Sequence, residues 1–278
     1  MRKARSQLVF FVIITLASGW LGVLLDTYLT EQPEGDTLGM GLWLVLPPLA
    51  ALVLRIACRD WEDAGLLPRF KVSIKWYVVS LLVFPTLTVV TLGVAGMVGV
   101  VALSEVEITT TLPLVAAGFG VGLIKNVFEE FAWRGYLVPK LIRLNASDWS
   151  VYIISGLVWA LWHVPYYLVF LGDGVFESLH ISRVGFVLVG IVVMVCWNVM
   201  YVELLRITKS IWPGILMHAA EDAVPAFLFS GGYYAFVSSG YAWLFDPNYG
   251  AIIALACLVI GLKVRRIRIN ASRSRAEY

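Results

Sequence analysis

Long apolar runs recur along the chain, separated by short polar segments. Eight of them read as membrane-spanning helices, at about 7–26, 39–58, 76–103, 111–139, 149–171, 183–205, 210–231 and 248–264. Each approaches or exceeds the roughly 20 residues that a bilayer core requires. The pattern predicts an all-α, polytopic membrane protein with about eight transmembrane helices. The polar segments alternate in character. Arg2, Lys3 and Arg5 precede the first run, and Arg59, Arg69, Lys71 and Lys75 lie between the second and third. Lys140 and Arg143 follow the fourth, Arg206 and Lys209 the sixth, and "KVRRIRINASRSR" the eighth. The intervening loops, such as "SEVEITT" and "GDGVFESLH", are poor in Lys and Arg. By the positive-inside rule both termini are expected in the cytoplasm, as an even number of spans also requires.

Composition strengthens the membrane reading. The chain is 60% hydrophobic and 14% charged, against about 45–50% and about 25% in soluble domains. Mean hydropathy is +0.83. No loop is long enough for a separate soluble domain. The expected organisation is one integral membrane domain over 1–278: N-terminal helices to 110, a core over 111–231, then an outer loop, last helix and basic tail over 232–278. The first residues, "MRKARSQLVFFVIITLASGWLGVLL", have too long an apolar stretch and no clear cleavage site for a signal peptide, so they read as a retained helix. Cys58, Cys196 and Cys257 show no CxxC spacing and suggest apolar fillers. The "NAS" sequences at Asn145 and Asn270 fall on the expected cytoplasmic side, which argues against glycosylation. Aromatics from Tyr233 to Phe245 suit an interfacial belt or cap. The partners implied are membrane lipids, with no nucleic acid.

Ionisable residues within the apolar runs cost several kcal/mol unless paired or wetted, so they mark function by default. The fourth run holds "FEEFAWRGYLVPK". Glu130 and Arg134 are four apart and can pair on a helix, whereas Glu129 is turned about 100° away. One acid would neutralise the arginine, leaving the other to react. Lys125, one turn before Glu129, could pair with it. The fifth run holds "WALWHVPYY", with Trp159 one turn before His163. The seventh holds "SIWPGILMHAAEDAVP", with His218 and Asp222 on one face and Glu221 expected to face elsewhere. Pro213 and Pro225 would loosen this helix and admit water. Glu129, His163 and His218 all fall between the cytoplasmic side and the middle of the bilayer. The third histidine, His180, reads as a surface residue.

A carboxylate in a low-dielectric cavity can act as general base on water, and imidazoles can share that role or donate to an oxyanion. No activated nucleophile stands out; Ser155 and Cys196 are weak candidates. Alternatively Glu129, His163 and His218 form a His₂Glu set that could hold a metal, zinc being the suited one. On the residues alone both routes stay open. Two other functional readings compete with hydrolysis. One is a non-catalytic immunity or scaffold protein binding a peptide or partner helix. The other is a proton-coupled transporter, against which the lack of an internal repeat argues.

"EEFAWR" resembles the motif EExxxR, "WALWH" is similar to FxxxH, and "HAAED" to HxxxN/D. In order, spacing and placement the three resemble the CPBP family, which includes type II CAAX endopeptidases and bacteriocin-processing enzymes. The resemblance covers roughly 111–231. It implies an eight-helix intramembrane endopeptidase with a four-helix catalytic core, acting on a peptide or prenylated-protein substrate. It further implies that Glu129 activates water with help from His163, that His218 and Asp222 serve the oxyanion, and that Glu130 and Arg134 support. Trp159 departs from the family's Phe. Asp222 stands where the best-known CAAX enzymes carry Asn; an ionised Asp cannot donate a hydrogen bond. Either Asp222 keeps a proton or it orients a cationic His218.

Overall fold

The computed structural model describes residues 2–29, 31–33, 36–179, 181–237 and 239–276. His180 lies outside them. Helices stand at all eight expected positions: α1 (Arg2–Tyr28), α2 (Leu38–Cys58), α3 (Phe70–Met97), α4 (Ile108–Ala132), α6 (Asp148–Trp162), α8 (Arg183–Thr208), α9 (Trp212–Ser230) and α11 (Ala251–Ala276). Short helices α5 (Val138–Arg143), α7 (Asp173–Leu179) and α10 (Ala242–Phe245) lie between them. Among the described residues, six helical segments are long and apolar enough to cross a membrane: Lys3–Tyr28, Leu38–Cys58, Ser73–Met97, Ile108–Arg143, Asp148–Phe170 and Arg183–Thr208. The protein is an all-α, multi-pass membrane protein.

Local chemistry sets the element boundaries. Thr37 caps α2, its hydroxyl accepting from the Met40 N–H at 3.0 Å, and Ser147 caps α6 likewise through Ser150 at 3.1 Å. The third apolar run ends as a helix at Met97, earlier than its hydropathy predicts. Gly99 turns the chain with φ +75°, and the remainder becomes strand β1 (Val101–Leu103). It pairs antiparallel with β2 (Tyr234–Phe236), Val101 opposite Phe236. The fourth run is continuous but not uniform: a single π turn over Trp133–Leu137 joins α4 to α5. The fifth breaks at His163 ahead of Pro165, which cannot donate to the helix ladder, and resumes as a second π turn over Tyr166–Phe170. The basic tail continues α11 to Ala276.

The chain divides into two compact units, Met1–Ala64 with Phe128–Asn198, and Gly65–Val127 with Val199–Tyr278. In the first, α1 and α2 approach closely because Gly22 and Gly39 face each other; a Cβ on either would collide with the other's carbonyl. Asp26 locks this contact by accepting from the Gly39 N–H (2.9 Å) and the Thr37 hydroxyl (2.6 Å). Trp43 of α2 stacks on Trp162 at 4.2 Å and donates to its carbonyl at 2.8 Å, which ties α2 to the end of α6.

In the second unit α3 packs on α9, and Leu92, Ala95, Val101, Tyr234 and Phe245 form an apolar cluster around the two strands. Gly261 lets α11 reach the backbone of α8, where a Cβ would stand 2.7 Å from the Met200 nitrogen. Beside the cluster, Asp246 accepts from the N–H groups of Asn248 (2.9 Å) and Tyr249 (2.7 Å). Burial pushes its carboxyl above the ordinary range, although those N–H groups pull the other way. The folded state therefore holds this proton to higher pH than the unfolded chain. Its contribution is complete below the unfolded carboxyl's range and is lost as pH rises through and above it. The thermal unfolding midpoint in detergent should fall between about pH 4 and pH 7 more steeply in the wild type than in Asp246→Asn, which keeps the acceptor oxygen without the charge. Parallel curves would refute the assignment.

Candidate active site

The first unit holds four of the six candidate residues. Glu129 and Glu130 close α4 and are both buried, at 3% and 0% exposure. Arg134, on the following π turn, is buried too, and its Nη1 lies 2.9 Å from Glu130 Oε1. The pair forms as the four-residue spacing predicts. It does not stand alone. Arg134 Nη2 donates to Asn198 Oδ1 of α8 at 3.2 Å, and its guanidinium lies 4.4 Å over the Trp159 ring of α6. Asn198 Nδ2 in turn donates to Ser155 Oγ (2.7 Å) and the Tyr152 carbonyl (2.8 Å). A buried ion pair is tolerable only when its remaining polar atoms find partners. Here those partners come from three elements and fix the helix that carries Glu129. Trp159, larger than the family's Phe, supplies the guanidinium's aromatic floor.

His163 follows the last turn of α6. Its Nδ1 lies 2.9 Å from the Trp159 carbonyl, which can only accept, so Nδ1 carries the proton. In this tautomer a neutral ring carries its lone pair at Nε2. Trp162, Tyr167, Trp43 and Trp159 surround it, with ring centroids at 4.6, 5.5, 5.7 and 6.1 Å. Both candidate base residues thus stand about one turn before a π turn, a feature frequent at functional sites. The first π turn has its own support. Arg55 of α2, fully buried, donates to the Gly135 carbonyl within it and is held by Asp63 and the Asp60 carbonyl. Lys140 and Arg143 hold Asp60 in turn.

The second unit holds His218 and Asp222 on α9. Glu221 does not face elsewhere, as the sequence suggests: it is buried, and one ligand atom from each of His218, Glu221 and Asp222 lies within 4.8 Å of the others. Lys125, one turn before Glu129 on its own helix, also reaches Asp222, with Nζ 3.0 Å from Oδ2. Asn126 Nδ2 donates to the same oxygen at 2.7 Å. Small residues allow this approach: a Cβ on Gly122 would stand 3.3 Å from the Ala219 Cα. Accepting from an ammonium and an amide together is the role of an ionised carboxylate. Tyr201 meets the His218 ring edge-on at 5.8 Å.

Glu129, His163 and His218 are the expected metal ligands. Among the described residues His218, Glu221 and Asp222 also group donor atoms as a metal site would. The Lys125 ammonium, 3.0 Å from Asp222, competes with an ion for that carboxylate.

Residues 110–224 match the family described as type II CAAX prenyl endopeptidase, Rce1-like. That stretch is thus similar to the CPBP family of CAAX-protease-like membrane proteins. No curated protein matches the chain. The matched stretch includes all six candidate residues and also Lys125, Asn126, Asn198 and Glu221, which sequence reasoning passed over or placed otherwise. Asn198 carries a signal in hindsight, as the polar residue inside "VVMVCWNVMYV".

Breaking the buried pair from one side strands a charge. Arg134→Met is expected to cost about 3–5 kcal/mol of stability. The double change Glu130→Gln with Arg134→Met should cost clearly less than the sum of the two single changes. A double-mutant cycle by thermal or chemical unfolding in detergent checks this, and additive costs would mean that the pair carries no coupling.

Proposed function

We propose that the protein is an intramembrane endopeptidase that hydrolyses a peptide bond in a CAAX-type or other membrane-associated peptide. The observation that carries this reading is the pairing of roles at the end of α4: within an Rce1-like stretch, Glu130 neutralises Arg134 while a second buried acid, Glu129, stands beside it. Glu129 takes a proton from water, the resulting oxygen attacks the peptide carbonyl, and the proton passes to the departing amine. His163, with its lone pair at Nε2, accepts from the same water. His218 donates to the oxyanion. Asp222, held as a carboxylate by Lys125 and Asn126, orients and supports His218 instead of donating, which replaces the role of the family's Asn. The Lys/Arg-rich ends of the helices, with both termini, lie on the cytoplasmic side.

The test compares membranes from cells expressing wild type or Glu129→Gln at matched, folded levels, mapping new protein C-termini by mass spectrometry and adding a prenylated reporter peptide. New termini and reporter cleavage with wild type only are expected. His163→Ala should lower reporter cleavage by roughly 10²–10⁴-fold, the usual contribution of a positioned acid–base group. Thorough chelation should leave the rate unchanged, and a loss restored by zinc would return the metal route. Equal results for wild type and Glu129→Gln with both substrates would overturn the proposal in favour of a peptide-binding scaffold.

A further inference from the structure

In the second unit three helices bring cations to one place. Arg69 precedes α3, Arg206 and Lys209 lie at the end of α8, and Arg268 lies on α11. The loops that carry them are tied together. The Ile211 N–H donates to the Gly65 carbonyl at 2.9 Å, the Trp212 indole to the Leu66 carbonyl at 2.7 Å, and the Tyr77 hydroxyl to the Pro68 carbonyl. Arg268 grips Glu203 of α8 through Nε (2.6 Å) and Nη2 (3.0 Å), and Arg206 stands 3.9 Å from the same carboxylate. The buried Glu203 carboxylate thus meets cations from two helices. Burial, then the fields of Arg206, Arg268 and Arg69, hold the Lys209 ammonium below the ordinary lysine range.

The backbone adds an independent observation. Lys209 ends α8 in the left-handed conformation, φ 55°, where glycine or asparagine is usual, and Arg69 begins α3 with φ 52°. An L-residue in this conformation is strained, because its Cβ crowds the following carbonyl oxygen. A cation is thus kept at two positions where the turn itself favours a smaller residue, and where cation repulsion adds to the strain. An anion would relieve the repulsion. Trp212, 37% exposed with its indole N–H anchored on Leu66, has the character of an interfacial aromatic, which puts the cluster at headgroup depth.

We propose that Arg69, Arg206, Lys209 and Arg268 form a binding site for the phosphate group of an anionic phospholipid headgroup. The same chemistry would accept free inorganic phosphate, so the experiment separates the two. The purified full chain in neutral detergent is titrated with phosphatidylglycerol, with phosphatidylcholine and with inorganic phosphate, following the thermal unfolding midpoint. Phosphatidylglycerol alone is expected to raise it. Arg69→Gln with Lys209→Gln should weaken this effect by roughly 30-fold, two cations at the usual strength of a basic side chain near an anionic surface. Arg69 is exposed, Lys209 lies in a turn, and removing both cations lessens repulsion, so the variant should fold. Lys209→Gln alone gives a second, milder reading. The control Lys3→Gln with Arg5→Gln should leave the response unchanged. An equal rise with inorganic phosphate supports the site with free phosphate as its ligand. No rise, a rise that survives in Arg69→Gln with Lys209→Gln, or equal loss in the control, overturns the proposal.

Discussion

The Glu130–Arg134 pair is the constraint from which the first unit's site is built. A guanidinium with 1% exposure inside an apolar segment cannot remain without a counter-charge and hydrogen-bond acceptors. Meeting that need recruits α6 and α8: Asn198 accepts from Arg134, Trp159 lies beneath it, and Ser155 and Tyr152 hold Asn198. The arrangement is satisfied only when the end of α4 stands in one rotation. Glu129 inherits that rotation. Such precision suits the role of general base proposed for Glu129, whose oxygen would have to meet one water and one carbonyl. The pair's function is therefore chiefly geometric, and its energy is the means by which the geometry is enforced.

The π turns extend the same logic. Each adds one residue to a helical turn, and each follows a candidate base, Glu129 in one case and His163 in the other. Widening a turn disturbs its hydrogen bonds, and the freed backbone must be satisfied from outside. Arg55 does so at Gly135 from a different helix. The loop rich in Asp60 and Asp63 then neutralises Arg55, and Lys140 and Arg143 complete the balance. This clasp joins the end of α2 to α5 and holds the segment between them.

Much of this was legible in the sequence. The helices follow from the length of apolar runs, and the Glu130–Arg134 pair follows from helical spacing. The cost of an ionisable group in lipid picked out the six candidate residues before any coordinates. What escaped has definable causes. The early end of α3 escaped because β1 is as apolar as the helix before it, and only its distant partner at Tyr234–Phe236 makes it a strand. The π turns escaped because they keep helical periodicity almost intact. Asn198 and Asn126 escaped because neutral amides carry little weight in a hydropathy pattern, although their hydrogen bonds carry the network. The contact of Lys125 with Asp222 escaped because helical spacing ranks neighbours on one helix, whereas a long flexible ammonium also reaches a partner on another.

That choice bears on how the chain tolerates Asp222. An asparagine at this position can donate through its amide; a carboxylate cannot. The substitution of one for the other would place a negative charge within an apolar region unless something neutralised it. Lys125 does so at 3.0 Å, and Asn126 adds a donor at 2.7 Å. Charge balance is thereby restored within the second unit by two consecutive residues of α4. The carboxylate accepts in both contacts, so the donor role proposed for this part of the site falls to His218. On that proposal the departure from the family's pattern is a redistribution of roles among His218, Lys125 and Asn126 on two helices. Those helices approach because Gly122 and Ala219 are small. A bulkier residue at either position would separate Asp222 from its cation and leave a half-buried carboxylate without that counter-charge.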